Sequence, residues 1–276
     1  MIGIIGAICG DIIGSAYEFV KEPFEYDFEL LPDGCYTTDD TTHTIAVADW
    51  LMHTDRSSQA LVEKLRYWSV KYPRGFGPMF VQWLMSESTE PYGSLGNGSG
   101  MRVSPVAWVA QSLDECIDLA HRSAQVTHNH PEGIKGAISI AVAIFLTRQG
   151  KSKEEIIKYI EQETGWHIPD YVDKKNNHVF NCTCPYSIIA ALSCWKDSTS
   201  YEDCIRKAVS LNGDCDTEAC MAGSICNANP ETQISDELIL NIVHKGIISN
   251  EMIDIINEFH DKYEKNQRNI NIETEQ

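Results

Sequence analysis

Apolar residues recur at helical spacing along almost the whole chain, and no segment alternates long enough to make a strand. The pattern predicts helices over about 44–53, 57–71, 112–126, 152–163, 185–196, 200–210, 217–228, 235–245 and 249–264. Shorter ones are expected through Val81, Trp83 and Leu84, and through Val103, Val106 and Val109. The segment opened by Pro131 is apolar nearly all round (Ile134, Ala137, Ile138, Ile140, Ala141, Val142, Ile144, Phe145), which predicts the central buried helix. At the N-terminus Gly3, Gly6, Gly10 and Gly14 recur every three or four residues. Glycine costs about 1 kcal/mol in a helix relative to alanine, so four of them imply a second backbone packed against a bare stripe. The fold class is all-α, with no internal repeat of constant length. Residues 1–264 read as one domain, 164–183 as a long polar loop, and the tail from 265 to 276 as frayed.

The polar positions fall at helix starts. Thr37-Thr38-Asp39-Asp40-Thr41-Thr42 precedes one helix and Asn212-Gly213-Asp214-Cys215-Asp216-Thr217-Glu218 precedes another. A helix N-terminus tolerates negative charge and fixes its first side chains, so each cluster can be a plain cap, with Thr38 and Asp214 the capping residues. Brought together in space, the same oxygens would hold one or two hard divalent cations. An EF-hand is excluded for the second cluster, because Ala219 stands where the loop requires glycine and Ile225 where it requires a bidentate glutamate. Asp11 and Glu18 lie seven residues apart and so share a face of the first helix; Glu18 is a candidate carboxylate if that face meets the clusters.

Tyr92-Gly93-Ser94-Leu95-Gly96-Asn97-Gly98-Ser99-Gly100-Met101-Arg102 is glycine-rich and opens a helix, an arrangement that receives phosphate groups through backbone amides. No strand precedes it and no Gly-Lys-Ser/Thr follows, which excludes a Rossmann or Walker loop. In Thr127-His128-Asn129-His130-Pro131 the two histidines alternate on an extended segment, so they make a poor pair for one metal, and one is better placed to bond a substrate.

Charge narrows the partners. Twenty-two basic against forty acidic residues give a formal net charge of -18, which argues against nucleic acid and anionic membrane surfaces. An anionic small molecule stays possible where bound cations reverse the local field. The ten cysteines show no C-x-x-C spacing and sit mostly in apolar patterns, so they read as reduced and buried in a cytoplasmic chain. Cys182-Thr183-Cys184 is the exception, with a zinc or redox role set against that of small apolar loop residues. The apolar N-terminus lacks a basic leader and is interrupted by Asp11, which excludes a signal peptide and a membrane span.

In chain order, Gly10-Asp11-x-x-Gly14-x-x-x-Glu18, Thr38-Asp39-Asp40-Thr41, Gly96-Asn97-Gly98-Ser99-x-Met101-Arg102-x-x-Pro105, Thr127-His128-x-His130-Pro131 and Gly213-Asp214-x-Asp216-Thr217 form a set that resembles the ADP-ribosylglycohydrolase family. The resemblance implies a compact orthogonal multi-helix domain and a centre of two Mg2+ or Mn2+ ions that releases ADP-ribose from a modified acceptor, arginine foremost. By position it implies metal ligands at Thr38, Asp39, Asp40, Asp214, Asp216 and Thr217. It further implies substrate contacts at Gly93, Ser94, Leu95, Gly96, Asn97, Gly98, Ser99, Met101 and His128, and catalytic roles for Glu18, Asp39 and Asp214. A nucleotide phosphohydrolase, a hydrolase of serine- or ester-linked ADP-ribose and a non-catalytic ADP-ribose binder are the alternatives. Asn212 departs from the usual glycine, Cys215 from a small residue, and Leu95 from an aromatic position in some members.

Overall fold

The computed structural model describes residues 3–20 and 25–264. Among them no strand occurs; one isolated antiparallel bridge joins Gly96 to Thr183. In order the helices are α1 (Ile5–Ser15), α2 (Asp39–His53), α3 (Ser58–Lys71), α4 (Pro78–Met85), α5 (Gly98–Met101), α6 (Ser104–Val109), α7 (Leu113–Gln125), α8 (Pro131–Arg148), α9 (Lys153–Thr164), α10 (Tyr171–Asn176), α11 (Cys184–Lys196), α12 (Tyr201–Val209), α13 (Cys215–Cys226), α14 (Asp236–His244) and α15 (Asn250–Phe259), followed by a π-helical turn at His260–Glu264. Serine caps set many of these starts. Ser57, Ser112, Ser152, Ser200, Ser235 and Ser249 each accept a backbone N–H three residues on, satisfying a donor the helix cannot.

The centre of the molecule is the pair α1 and α13, in which every residue is buried. The glycine stripe explains their approach. A Cβ on Gly10 would stand 2.2 Å from the Ala219 carbonyl oxygen, and one on Gly14 would stand 2.3 Å from that of Cys215. Gly223 answers from the other side, where a Cβ would meet the Gly6 oxygen at 2.7 Å. Gly3 is not part of the stripe: it precedes α1 with φ 103°, and its carbonyl accepts from Asn227 Nδ2 at 3.1 Å.

The expectation that the helix from Pro131 is the central one needs correcting. α8 is largely buried against α5, α6, α7, α9, α11 and α13, but Ile134 and Ile138 stay partly exposed. α1 and α13 outrank it because both are buried on every side and their glycines let the two backbones meet.

Three boundaries also differ from expectation. α2 begins at Asp39, five residues before the apolar pattern, because Thr38 caps it and both aspartates form its first turn. The helix expected after the glycine-rich loop is split into α5 and α6. The polar stretch 164–183 contains α10, whose Lys174 is buried with Nζ 3.7 Å from the centre of the Tyr186 ring. One continuous apolar cluster runs from Ile4 to Phe259. The tail expected to fray, 265–276, lies outside the described residues, as do residues 21–24.

Candidate active site

Packing α1 onto α13 and α2 brings three acidic segments to one point. Asp11, near the middle of α1, is fully buried and accepts from the N–H of Thr38 and of Thr41, both at 3.1 Å, from Thr38 Oγ1 at 2.7 Å and from Thr41 Oγ1. The first turn of α2 is thereby fixed to α1. Thr38 Oγ1 also receives the Asp40 N–H and lies 3.2 Å from Asp40 Oδ2, which Thr217 Oγ1 reaches from α13 at 3.2 Å. Asp40 Oδ1 is buried and has no hydrogen-bond partner.

Asp214 stands at the N-cap of α13 but its side chain does not cap. It turns into the cleft, where Asn97 Nδ2 donates to its Oδ2 at 2.5 Å; the same amide group reaches Ser187 Oγ at 3.0 Å. Oxygens of Asp11, Asp40 and Asp216 lie within 4.8 Å of one another, as do those of Glu18, Asp214 and Asp216. Asp216 belongs to both triads. Asp39 lies in the same cleft but in neither triad, with Gly75 so close that a Cβ there would be 2.4 Å from Asp39 Oδ1.

Among the described residues this carboxylate floor carries no internal cation: no lysine or arginine lines the cleft, of about 360 Å³. Burial is the main cause of the resulting shifts, and mutual repulsion adds to it. Asp39 is pushed up to about 8 and Glu18 to about 7; Asp40 and Asp216 rise well above the ordinary carboxylate range. Burial also carries Asp11 up, to about 6, against the pull of its threonine donors. Oxygen donors only, an orphaned buried carboxylate oxygen, two triads sharing one aspartate and, among the described residues, no lysine or arginine in the lining together fit hard divalent cations.

The cleft is further lined by Ser94, Gly96, Asn97, Gly98, Met101 and His128 of the glycine-rich loop and its neighbour, and by His43, Gly75, Gly77, Pro78, Met79, Phe80 and Tyr92, whose ring lies 6.0 Å from that of His128. Not every residue assigned to the substrate faces it. Ser99 is fully buried and its hydroxyl donates to the Gly133 carbonyl at 2.7 Å, so it fixes the loop to α8. Gly93 and Leu95 are not in the lining. Two amides expected for a diphosphate are engaged internally, Gly96 N–H by Ser94 Oγ at 3.1 Å and Asn97 N–H by the Cys182 carbonyl at 2.9 Å. The histidines part as their alternation predicts: His128 enters the cleft, whereas His130 caps α8 by accepting from the Glu132 N–H.

Eight lining residues were not singled out from sequence as site residues, His43, Tyr92 and Cys182 among them. His43 follows Asp39 by one helical turn, a spacing that could have identified it; its ring packs against Phe76 and Phe80. Tyr92 flanks the glycine-rich loop. Cys182 lies beside Asp214, and burial and the cleft carboxylates hold its thiol protonated. Cys184 is buried and donates to the Gly96 carbonyl at 3.0 Å, so the two cysteines have separate structural places. Asn212 takes φ 58°, a left-handed conformation that asparagine tolerates, which accounts for its standing in place of glycine. Behind the loop His178 Nε2 lies 3.1 Å from Glu218 Oε1, both side chains fully buried, and a Cβ on Gly213 would meet that nitrogen at 2.2 Å.

A helical molecule whose central helix pair, with α2, brings two carboxylate triads together beside a glycine-rich loop defines a narrow class of protein. Residues 2–268 match the model of the ADP-ribosylglycohydrolase family, and the chain belongs to that family. It is 28% identical over 195 residues to ADP-ribosylhydrolase ARH3 of Mus musculus, covering 59% of this chain and 52% of that protein. Against ADP-ribosylhydrolase ARH3 of Homo sapiens it is 28% identical over 200 residues, covering 60% and 54%. The chain thus spans about half the length of these relatives. A solved ADP-ribosylglycohydrolase-related protein complex superposes with a TM-score of 0.71 at 19% identity, covering 94% of this chain and 95% of that one, and so shares the fold. Among the described residues no helix is long and apolar enough to cross a membrane.

Proposed function

We propose that the chain is a hydrolase that frees ADP-ribose from a modified acceptor by cleaving the bond at C1 of the distal ribose. The observation that carries this reading is the pair of carboxylate triads sharing Asp216, which with Glu18 and Asp214 lines a cleft that has no lysine or arginine among the described residues. Asp40, Asp214 and Asp216, with Thr38, Thr217 and Asp39 beside them, would hold two Mg2+ or Mn2+ ions. Divalent cations held there would lower the pKa of bound water, coordinate sugar hydroxyls and offset phosphate charge.

The chain's own residues do the rest. Asp11 holds the first turn of α2 against α1, so the ligands are positioned before substrate arrives. Asn97 keeps Asp214 turned into the cleft, and Asp214 or Asp39 orients the attacking water at C1. Glu18, at the end of the α1 segment and raised to about 7, is poised to move a proton to or from the leaving group near neutral pH. Neighbouring carboxylates favour the positive charge that develops on the ribose as the bond breaks. Met101, His128 and the exposed surfaces of Ser94, Gly96 and Gly98 receive the rest of the ADP-ribose.

Arginine is the acceptor this surface suits, because a guanidinium cation approaches a chain of net charge -18 favourably. The same acidity disfavours nucleic acid as a partner, and ten cysteines with no paired spacing suit a reducing compartment such as the cytoplasm. The test is a panel of substrates differing only in linkage to ADP-ribose (arginine, serine, ester), assayed with Mg2+, Mn2+ and chelator. Intact ADP-ribose is the expected product; AMP or phosphate would identify a phosphohydrolase instead. Asp39→Asn and Asp216→Asn should each abolish release while leaving the helical circular dichroism unchanged, and full activity in either variant refutes the metal assignment.

A further inference from the structure

Behind the substrate wall runs a buried polar chain that ends on His128. Arg102, at the C-cap of α5, is completely buried, and its Nη2 donates at 2.8 Å to the Ser123 carbonyl and at 2.8 Å to Thr127 Oγ1. Its Nε and Nη1 meet no acceptor among the described residues, so the guanidinium is oriented through Nη2 alone. Thr127 is fully buried as well, and its Oγ1 lies 2.8 Å from His128 Nδ1. The opposite edge of the ring faces the cleft wall: a Cβ on Gly98 would be 3.1 Å from Nε2, and one on Gly96 3.8 Å.

The direction of the bonds follows from the donor inventory. Arginine only donates, so Thr127 Oγ1 accepts from it and has one proton left to give. If His128 Nδ1 carried a hydrogen, that oxygen would accept twice and its own proton would have no acceptor in a dry interior. If Nδ1 is bare, every group is satisfied: guanidinium to hydroxyl, hydroxyl to Nδ1. A doubly protonated ring is opposed by burial and by the nearby guanidinium, which both hold His128 well below the ordinary histidine range. The neutral ring then carries its one proton on Nε2.

We propose that Arg102 and Thr127 are positioning residues that lock His128 as the Nε2–H tautomer, making it a fixed neutral hydrogen-bond donor to an acceptor oxygen of the ADP-ribose. The substrate side of this inference rests on the function proposed above; the tautomer side does not. Such a donor recognises a diphosphate or ribose oxygen without adding a charge that would vary with pH. Arg102 acts at one remove and never touches the ligand, and Thr127→Ser, which keeps the hydroxyl, should behave like the wild type.

Two-bond proton–nitrogen correlation spectra of 15N-histidine-labelled protein decide the tautomer, with His128 assigned among the nine histidines by its loss in His128→Gln. The expected wild-type pattern is an unprotonated Nδ1 and a protonated Nε2. The near-isosteric Thr127→Val should lose that pattern and weaken calorimetric binding of free ADP-ribose roughly tenfold, the effect of one hydrogen bond to a charged group. A protonated Nδ1 in the wild type overturns the proposal, as does Thr127→Val retaining both tautomer and affinity. Should Thr127→Val fail to fold, the wild-type spectrum still decides. Should ADP-ribose not bind the wild type at all, the functional reading falls while the spectrum still settles the tautomer.

Discussion

Helix α2 carries a buried aspartate near each end, and the two are treated in opposite ways. Asp49, near the C-terminus, is 4% exposed and receives Lys64 Nζ at 2.8 Å, Trp68 Nε1 at 2.8 Å and His53 Nδ1 at 2.9 Å. Its donors outweigh the cost of burial, and its carboxyl is held below the usual range. Asp40, at the N-terminus, is 1% exposed, has one orphaned oxygen, and is surrounded by Asp11, Asp39, Asp214 and Asp216. The fold supplies a structural carboxylate with every partner it needs and leaves the functional one without a counter-charge. On the proposed reading the missing positive charge is that of a bound cation.

The sharpest way to break this comparison is to exchange which end is damaged. Asp40→Asn should cut ADP-ribose release by at least about a thousandfold, the scale on which losing a metal site acts. Its metal-free form should be as stable as the wild type or more so, since asparagine needs neither a charge beside its neighbours nor a proton taken up on folding. Asp49→Ala should do the reverse, costing about 3 kcal/mol of unfolding free energy in urea titrations while leaving turnover per folded molecule unchanged. Equal stability losses in both variants would show that Asp40 has a hidden internal partner and would dissolve the contrast.

Cation addition sharpens the same comparison with a somewhat smaller effect. Mg2+ or Mn2+ at one hundred times its Kd should stabilise the wild type by about 2.7 kcal/mol through mass action, seen as a rise in melting temperature. Asp216 is common to both triads, so Asp216→Asn should lose most of that rise. Asp49→Ala should keep it, starting from a lower melting temperature. A cation-induced rise of unchanged size in Asp216→Asn would place the ion elsewhere.

The same contrast explains what could be read in the chain. Helices with a wet face announce themselves: α3, α7, α9 and α12 lie within a residue of the spans their apolar spacing predicts. The central pair was harder to rank, because a helix of glycine, cysteine and small polar residues buried on every side has no contrasting face to show. Chemistry was legible where it lies in ordered motifs, and for that reason the aspartates of α2 and α13 were read as meeting before their packing was known. Asp11 belonged to a quoted motif yet received no role, since nothing local shows that its carboxylate reaches back to Thr38 and Thr41. Glu218 and His178 are forty residues apart and meet only when α10 folds behind the Gly213 turn, a pairing no spacing rule reveals.

The smallest effect tests the physical cause directly. A carboxyl whose pKa is raised by folding holds a proton that the unfolded chain has released, so stability falls as pH rises from the unfolded value towards the folded one. Asp39 at about 8 and Glu18 at about 7, with Asp40 and Asp216 shifted the same way, place that loss across neutral pH in chelator-treated protein. Buried His43, His128 and His178, all depressed, give the opposite trend only below about pH 6.5, where the unfolded histidines charge. Buried thiols enter only as the pH nears the ordinary thiol value, about 8.5, so pH 6.5 to 8.0 is the clean window. There the urea midpoint should fall with rising pH, by at most about 1.4 kcal/mol per unit for each retained proton. His53, raised by its bond to Asp49, contributes a slope of the same sign from the far end of α2, and that part should survive added cation. The carboxylate part should vanish or reverse with saturating Mg2+, because ligand oxygens then lose their protons in the folded state as well. A midpoint that climbs between pH 6.5 and 8.0 without cation would mean that these carboxylates already have their counter-charge.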